Sequence, residues 1–598
     1  MSYTTVLRDA HHMGSALLDF GLRPGRSTRV GIAGITSARY IVAQYALMCY
    51  SMVNVPLYYN CKIEHICGII NNCEIEVVFC DSVARAESFA ECAKSGCMDH
   101  LKILIVMNPE KAIDGGMCDY SDRIKIYDWD YVIKLGEANR RPISPPSSSD
   151  IFVICHTSGT TGIPKGVQLS HQALIASMGS LYVQWCVKPH TMKFDHNDLY
   201  LSFLPLAHVY EQLLQAFVTF VGARICVFGG NMKEIINDMT FYEPTIIALV
   251  PSLLCKFYER IHEGIKRENI LKRFAFWVAI KYKMHLLSKG RLRYDTFCDR
   301  KILRSIHIKF GGKLRMITSG GAPIARNVKD FSRIIYGCPL FEGYGQTECT
   351  GAGTISLPFD TRNDNVGGPA PWAQIKLTDV ENMGYFSGED VGEVCFRGAA
   401  LMSGYFKDEE GTKRTIDDDG WLHTGDIGQW LPNGALKIID RKNHIFKLAQ
   451  GDFVSPEQIE SVYLQSPLVK QIFVAGSPLR KHLVAIISVD EKAIRELCRS
   501  TKDKRLQINV SSSATTKEFL SDKQVRNVVL NNLQEFGTSQ GLTRIEQIHN
   551  VYLTDEEFTA ECGLLTPTLK IRREQFRNKF AKVIEDLHSE EDGQTSFR

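Results

Sequence analysis

Short apolar runs recur along this chain at residues 30–33, 77–80, 103–107 and 151–155, and stretches with helical apolar spacing separate them. An apolar run of four or five residues suits a strand buried on both faces, and parallel strands of that kind need crossover helices to cover them. The alternation therefore predicts a wound α/β architecture. With 598 residues the chain exceeds what one core can hold, so several subdomains are expected. Residues 142–150 read PISPPSSSD and form a loop by composition. A boundary is expected after the strand-like run 435–439, dividing the chain into residues 1–439 and 440–598. Residues 40–59 carry no charge, but Gln44, Ser51, Asn54 and Pro56 interrupt them. A buried helix leading into a strand at 53–57 explains that stretch better than a membrane span. The 18 cysteines are scattered without a C-x-x-C pair, which suits free thiols in a reducing, cytoplasmic setting.

The sharpest local signal closely follows the run 151–155. Residues 157–166 read TSGTTGIPKG, and Thr157, Ser158, Gly159, Thr160, Thr161 and Gly162 are all glycine or hydroxyl residues. Such a loop can wrap closely on phosphate oxygens, because backbone N–H groups and hydroxyls donate while glycines remove bulk. Lys165 adds positive charge. A flexible linker would share the composition but has no need of Pro164-Lys165-Gly166 behind a buried strand. The Gly-Lys-Ser/Thr of a Walker loop is absent. Two more glycine-rich turns, GGAP at 320–323 and GYGQTE at 343–348, follow short apolar runs. Turns at strand ends form crevices where nucleotides bind. Tyr344 could stack on a purine, and the Glu348 carboxylate could hold a magnesium ion. Alone, either motif is more often a plain turn.

Taken together and in this order, TSGTTGIPKG, GYGQTE and TGDIG (residues 424–428) resemble the adenylate-forming superfamily of acyl-CoA synthetases, peptide-synthetase adenylation domains and luciferases. The stretch DGWLHTGDIGQWLPNGALKIIDRKNHIFKLAQGD (419–452) is similar to the fatty acyl signature of eukaryotic-type long-chain acyl-CoA synthetases. LSFLPLAHVYEQ (201–212) and LTPTLK (565–570) point the same way. The resemblance implies a large N-terminal domain of wound α/β subdomains with a small β-barrel-like part, plus a smaller mobile α+β C-terminal domain. It implies activation of a long-chain fatty acid by ATP to an acyl-adenylate, then transfer to coenzyme A, with Mg2+ as cofactor.

The same resemblance assigns roles by position. Residues 157–165 would cradle the β- and γ-phosphates. Glu348, with Thr157 or Thr347, would hold magnesium. Gly321, Ala322, Gly343 and Tyr344, with Gly345 in the same turn, would frame the adenine. Asp426 would accept hydrogen bonds from the ribose hydroxyls, and Arg441 would sit near ribose or phosphate. Lys570 would bridge the fatty carboxylate and the ribose-side oxygen. Asp440 would be the hinge about which the second domain turns, bringing the loop at Gly451 to the thioester step. His208 lies in the acyl-site motif, where it is either a substrate contact or a satisfied core histidine. Catalysis would rest on Lys570, Glu348, Lys165 and His208. Two other readings stay open: adenylation of an amino or aryl acid for a carrier protein, and an inactive fatty-acid-binding homologue.

Charge is distributed unevenly. The chain totals +3, which says nothing for or against nucleic acid, and no nucleic-acid partner is expected. Residues 261–315, however, carry 15 Lys and Arg against 4 Asp and Glu, net +11, so the remainder is net −8. Phe274, Phe276, Trp277, Val278, Ile280, Leu286 and Leu287 are interleaved at helical spacing with Lys281, Lys283, Lys289, Arg291 and Arg293. The segment is either a solvated helix face or a surface that makes peripheral contact with an anionic membrane on its cytosolic side.

Overall fold

The computed structural model describes residues 1–109, 114–157, 165–188, 192–358, 360–442, 444–450, 453–477, 479–500, 515–566 and 570–595. The apolar runs become the centre of a nine-stranded sheet. Its neighbours in order are Gly404–Tyr405, Lys165–Ser170, Ile151–Thr157, Val53–Leu57, Arg29–Ala33, Val77–Cys80, Ile103–Val106, Lys125–Asp128 and Met117–Asp119. The six strands from Ile151–Thr157 to Lys125–Asp128 pair in parallel, and the others close the edges in antiparallel fashion. The uncharged stretch is the helix Ala38–Met48 running into the strand Val53–Leu57, with the Ser37 hydroxyl accepting from the Tyr40 N–H at 3.1 Å as N-cap. Among the described residues no helix is long and apolar enough to cross a membrane.

A second sheet of seven strands runs Arg224–Val227, Leu199–Ser202, Ile246–Ala248, Met316–Gly320, Leu340–Tyr344, Thr354–Ile355 and Gly368–Pro369. Its first five strands are parallel, so the turns after Met316–Gly320 and Leu340–Tyr344 emerge at one end of the sheet. The part expected to be barrel-like is a four-stranded antiparallel sheet, Ala373–Thr378, Val391–Gly398, Leu422–Trp430 and Leu436–Arg441. It stays open: its two outer strands do not pair with each other among the described residues.

Residue 440 falls inside the last of those strands, where Asp440 pairs with Ile427. Beyond it a separate core runs from Leu448 to Leu553, built on the three-stranded sheet Val469–Ala475, Leu483–Val489 and Ile548–Thr554. Arg573 and Glu460, both buried, pair at 2.6 Å and tie the helix Arg573–Lys579 to the helix Pro456–Tyr463. Removing either partner would strand the other charge, at a cost of about 3–5 kcal/mol.

The basic segment forms the helix Ile270–Ser288, as its spacing predicts. One of its charges is not on the surface. Lys283 is buried, paired with Asp299, and donates to the Arg293 carbonyl at 3.0 Å. Its ammonium is a core ion-pair member and cannot serve a surface function.

Candidate active site

The strands Ile151–Thr157 and Lys165–Ser170 are antiparallel neighbours, and Thr157 faces Lys165 across the ladder. They hold the two ends of the glycine- and hydroxyl-rich loop, and Thr157 and Lys165 both line one large cavity of about 860 Å³. Ser158, Gly159, Thr160, Thr161 and Gly162 lie outside the described residues. The Lys165 ammonium sits 4.7 Å from the centroid of the Tyr405 ring, so the aromatic face holds the charge at the rim of the cavity. Gly166 is dictated by packing, since a Cβ there would come within 2.8 Å of Ile154 Cγ2.

The GYGQTE turn leaves the strand Leu340–Tyr344 and folds back on residues 351–353. A Cβ on Gly345 would lie 1.8 Å from the Gly351 carbonyl oxygen, which no side chain can accept. This close backbone approach sets the positions of its neighbours. The Tyr344 hydroxyl donates to Asp426 Oδ2 at 2.6 Å, and Gln346 Nε2 donates to the same oxygen at 2.7 Å and to the Thr424 carbonyl at 2.7 Å. Arg441 Nε lies 3.3 Å from Asp426 Oδ1. A carboxylate offers about four acceptor sites. Three contacts occupy this carboxylate, which is buried and lies behind the cavity lining, whereas Thr424, Gly425 and Arg441 line the cavity. The neighbouring Asp426 charge, despite burial, holds the Arg441 guanidinium above its ordinary pKa. Burial, with Asp426 second, pushes the Tyr344 phenol up. Gly321, Gly343, Gly345 and Thr347 line the cavity, while Tyr344 lies behind the lining and Ala322 is outside it.

Glu348 also lines the cavity. Its Oε1 accepts from the Tyr405 hydroxyl at 2.9 Å, and its backbone carbonyl accepts from the Met402 N–H at 2.8 Å. Thr157, Thr347 and Glu348 thus offer hydroxyl and carboxylate oxygens to one space. That donor set fits a hard cation such as magnesium.

Lys570 reaches the same cavity from the C-terminal part of the chain. A small turn fixes its base. The Thr566 N–H donates to the Lys570 carbonyl at 2.7 Å, and the Lys570 N–H donates to Thr566 Oγ1 at 3.0 Å. Its side chain keeps solvent access because it lines an open cavity, yet protein surrounds it closely enough that burial, followed by Arg441, pushes its pKa down. Glu457, Asp426 and Glu348 oppose that shift. Two cations facing one cavity leave room for an anion between them, and a carboxylate or phosphate satisfies that requirement.

His208 combines both readings offered by the sequence. It lines the cavity and caps the helix Val209–Phe220, its Nδ1 accepting from the Tyr210 N–H at 3.1 Å. That bond places the ring proton on Nε2. Burial, with Lys570 second, pushes its pKa down to about 4, so the ring is neutral at physiological pH. Asp440 lies behind Arg441, where it accepts from the Arg441 N–H at 2.5 Å and from the Ser455 hydroxyl. Burial, then Glu457, pushes its carboxyl up. Burial works against ionisation of Glu457 as well, yet the His444 contact at 2.7 Å holds that carboxyl low. Gly451 lies outside the described residues.

Away from the charged end, the cavity wall is apolar: Leu181, Trp185, Val209, Leu213, Leu214, Phe341 and Ile355. Trp185 packs edge-on to Phe217 with centroids 5.2 Å apart and tilted against Phe341 at 5.3 Å. Motif reading passed over these residues, along with Gln346 and Tyr405. The helices His171–Cys186 and Val209–Phe220 carry visible apolar faces, but a face turned to a core and a face turned to a cavity have the same spacing.

One cavity thus gathers the two ends of the glycine- and hydroxyl-rich hairpin, Arg441 backed by Asp426, and Lys570 from the C-terminal part. A sequence model described as "AMP-binding enzyme" matches residues 1–406. Long-chain-fatty-acid–CoA ligase 1 of Cavia porcellus is 38% identical over 592 residues, covering 98% of this chain and 82% of that protein. Long-chain-fatty-acid–CoA ligase 5 of Mus musculus is 37% identical, with 98% and 84% covered. The peroxisomal long chain acyl-CoA synthetase 7 of Arabidopsis thaliana is 34% identical, with 99% and 82% covered. In fold, the chain is similar to the A domain of a carboxylic acid reductase from Segniliparus rugosus, with TM-score 0.76, 21% identity, and 99% and 87% of the two chains covered. The chain belongs to the AMP-binding enzymes, in the family of the long-chain-fatty-acid–CoA ligases.

Proposed function

We propose that the chain activates a long-chain fatty acid with ATP and transfers the acyl group to coenzyme A. The observation that carries this reading is the cavity itself, with Lys570, Arg441 and Glu348 at one end and an apolar wall at the other. In the first step a carboxylate oxygen attacks the α-phosphorus of ATP and pyrophosphate leaves. In the second the thiolate of coenzyme A attacks the acyl carbon and AMP leaves. Lys570 would hold the fatty carboxylate in line for the first attack and offset charge that grows on the transferring oxygens. Thr157, Lys165 and the loop between them would carry the phosphates. Asp426 and Arg441 would fix the ribose. Neutral His208 would donate from Nε2 without adding charge. Glu348 with Thr157 or Thr347 would hold magnesium, which would neutralise phosphate charge. The part beyond Asp440 would turn about that residue between the two steps and bring the segment at Gly451 to the thioester chemistry. The apolar wall favours an alkyl chain over an amino acid. Glu342, an acid that also lines the cavity, is spent on Lys329 and does not await an ammonium.

Acyl-CoA formation with ATP, coenzyme A and a saturated chain-length series tests the reading. Activity with amino or aryl acids alone would overturn it. Trp185→Leu should shift the preference toward longer chains, because it shortens a bulky side chain in the apolar wall. The ratio of kcat/KM for long over medium chains is expected to rise by about tenfold, the worth of one or two methylenes of new contact. An unmoved profile would take Trp185 out of the acyl wall. Glu348→Gln should raise the magnesium concentration for half-maximal activity by about tenfold or more, since an amide binds a hard cation more weakly than a carboxylate. An unchanged magnesium titration at full activity would remove Glu348 from that role.

A further inference from the structure

The helix Ile270–Ser288 is apolar on two opposite faces. Phe276, Ala279, Ile280 and Leu287, together with Lys283, are buried against the second sheet's core. At 3.6 residues per turn the opposite face carries Ile270, Leu271, Phe274, Trp277 and Val278, and all five are exposed. Leu271 keeps 77% and Phe274 72% of its surface in solvent. A helix lying on a folded core normally turns polar residues outward. Here one wall of the molecule presents an apolar stripe that folding leaves largely uncovered, with Trp277 43% exposed and stacked on the His262 ring at 5.3 Å, and such stripes mark interaction surfaces. Phe297, 70% exposed, lies on the connection that follows.

The charge around the stripe selects the partner. Arg273, Lys281, Lys289, Arg291 and Arg293 are exposed within or just after the helix, in the segment of net +11. A second copy of this chain meeting the stripe with the same face would bring the same excess of positive charge to the contact and would be repelled. A nucleic acid would meet the charge but leave the phenylalanine and leucine side chains without partners. A bilayer with anionic headgroups supplies a negative surface for the charges and an apolar layer a few ångströms deeper for the side chains. Tryptophan and aliphatic residues ringed by lysine and arginine suit that boundary. We propose that the outer face of Ile270–Ser288 docks the protein on an anionic membrane, with Leu271, Phe274 and Trp277 inserted at the headgroup level. The apolar stripe adds insertion to the electrostatic attraction that the charge count alone suggests. Docking would place the enzyme where long-chain fatty acids partition. That purpose rests on the proposed activity, but the binding itself does not, and it is measured without turnover.

The test uses the full chain with phosphatidylcholine vesicles, with and without about one-third phosphatidylserine, in flotation assays. Wild type is expected to float with the anionic vesicles only, and to lose binding as salt screens the charges. The pair Phe274→Ser and Trp277→Ser should reduce bound protein by about tenfold while acyl-CoA formation from detergent-dispersed substrate stays unchanged. Lys281→Glu with Lys289→Glu and Arg291→Glu should do the same and keeps the apolar stripe, so the proposal does not depend on one variant folding. Lipids brominated on the acyl chain should quench tryptophan fluorescence in wild type, and Trp277→Phe should abolish that quenching. Undiminished flotation of either multiple variant, or quenching that survives Trp277→Phe, would overturn the proposal. So would a wild-type dimer in sedimentation that Phe274→Ser with Trp277→Ser converts to monomer, because the stripe would then be covered by a second copy.

Discussion

Replacing Lys570 with alanine should slow acyl-adenylate formation by about a hundredfold or more while leaving thioester formation from supplied acyl-adenylate close to wild type. Lys570 lines the cavity that also holds Thr157, Glu348 and Arg441, and it comes from a turn of the C-terminal part. Its charge is costly there, since burial and Arg441 both push its pKa down. Negative charge arriving between Lys570 and Arg441 stabilises the ammonium form. The contact therefore strengthens as the carboxylate meets the phosphate, and the loss falls on kcat of the first step more than on any KM. Thioester formation would use a different arrangement of the C-terminal part, after rotation about Asp440, and would not need this ammonium. The stability of the variant should change little because the turn is held by backbone and Thr566 contacts that alanine keeps. Pyrophosphate release and acyl-CoA release, measured separately, check this. Equal loss in both half-reactions would mean that Lys570 does not act as assigned.

The readable parts of this chain are those where local chemistry leaves one solution. Four apolar runs at 30–33, 77–80, 103–107 and 151–155 suited buried strands in both length and spacing, and they sit in the centre of the nine-stranded sheet. Gly345 could be read as a tight turn, and the structure adds the reason, a backbone oxygen 1.8 Å from where a Cβ would be. Long-range geometry was less legible. Lys283 looked like one more surface lysine, because its partner Asp299 lies 16 residues away on the far side of a turn. The expected small barrel is an open four-stranded sheet, since strand count and alternation do not specify closure. Tyr344 shows the same limit at the site. Its place in GYGQTE suggested a ring that could stack on a purine but gave no sign that its hydroxyl donates to Asp426, 82 residues on. The apolar wall around Trp185 was invisible for a simpler reason: an apolar stripe does not say whether it faces a core or a cavity.

Asp426→Ala is expected to raise KM for ATP by about 10- to 100-fold, with KM for the fatty acid little changed. Four groups set the size of this effect. The Tyr344 hydroxyl and Gln346 Nε2 would lose a shared acceptor at 2.6 and 2.7 Å, Arg441 would lose its counter-ion at 3.3 Å, and a ribose hydroxyl would, in the proposed role, lose its acceptor. Leaving a buried donor unpaired costs about 1–3 kcal/mol, and a lost hydrogen bond between ligand and charged group costs about as much. The first part appears as lower thermal stability, and the second as weaker nucleotide binding. Asp426→Asn separates them. It keeps the shape and one acceptor, but it turns an amide N–H2 toward donors or toward Arg441 and removes the charge that holds the guanidinium in place. Its melting temperature should fall less than that of the alanine variant, while its KM for ATP should rise nearly as far. A melting temperature that drops in both variants with KM for ATP unchanged would make Asp426 a structural anchor for Tyr344, Gln346 and Arg441 and exclude it from the ribose site. A rise in KM for the fatty acid instead would place the carboxylate at the wrong end of the cavity. Lys570→Ala moves kcat of one half-reaction and Asp426→Ala moves KM of one substrate, so together they locate the acid-activating and nucleotide-holding ends of the site independently.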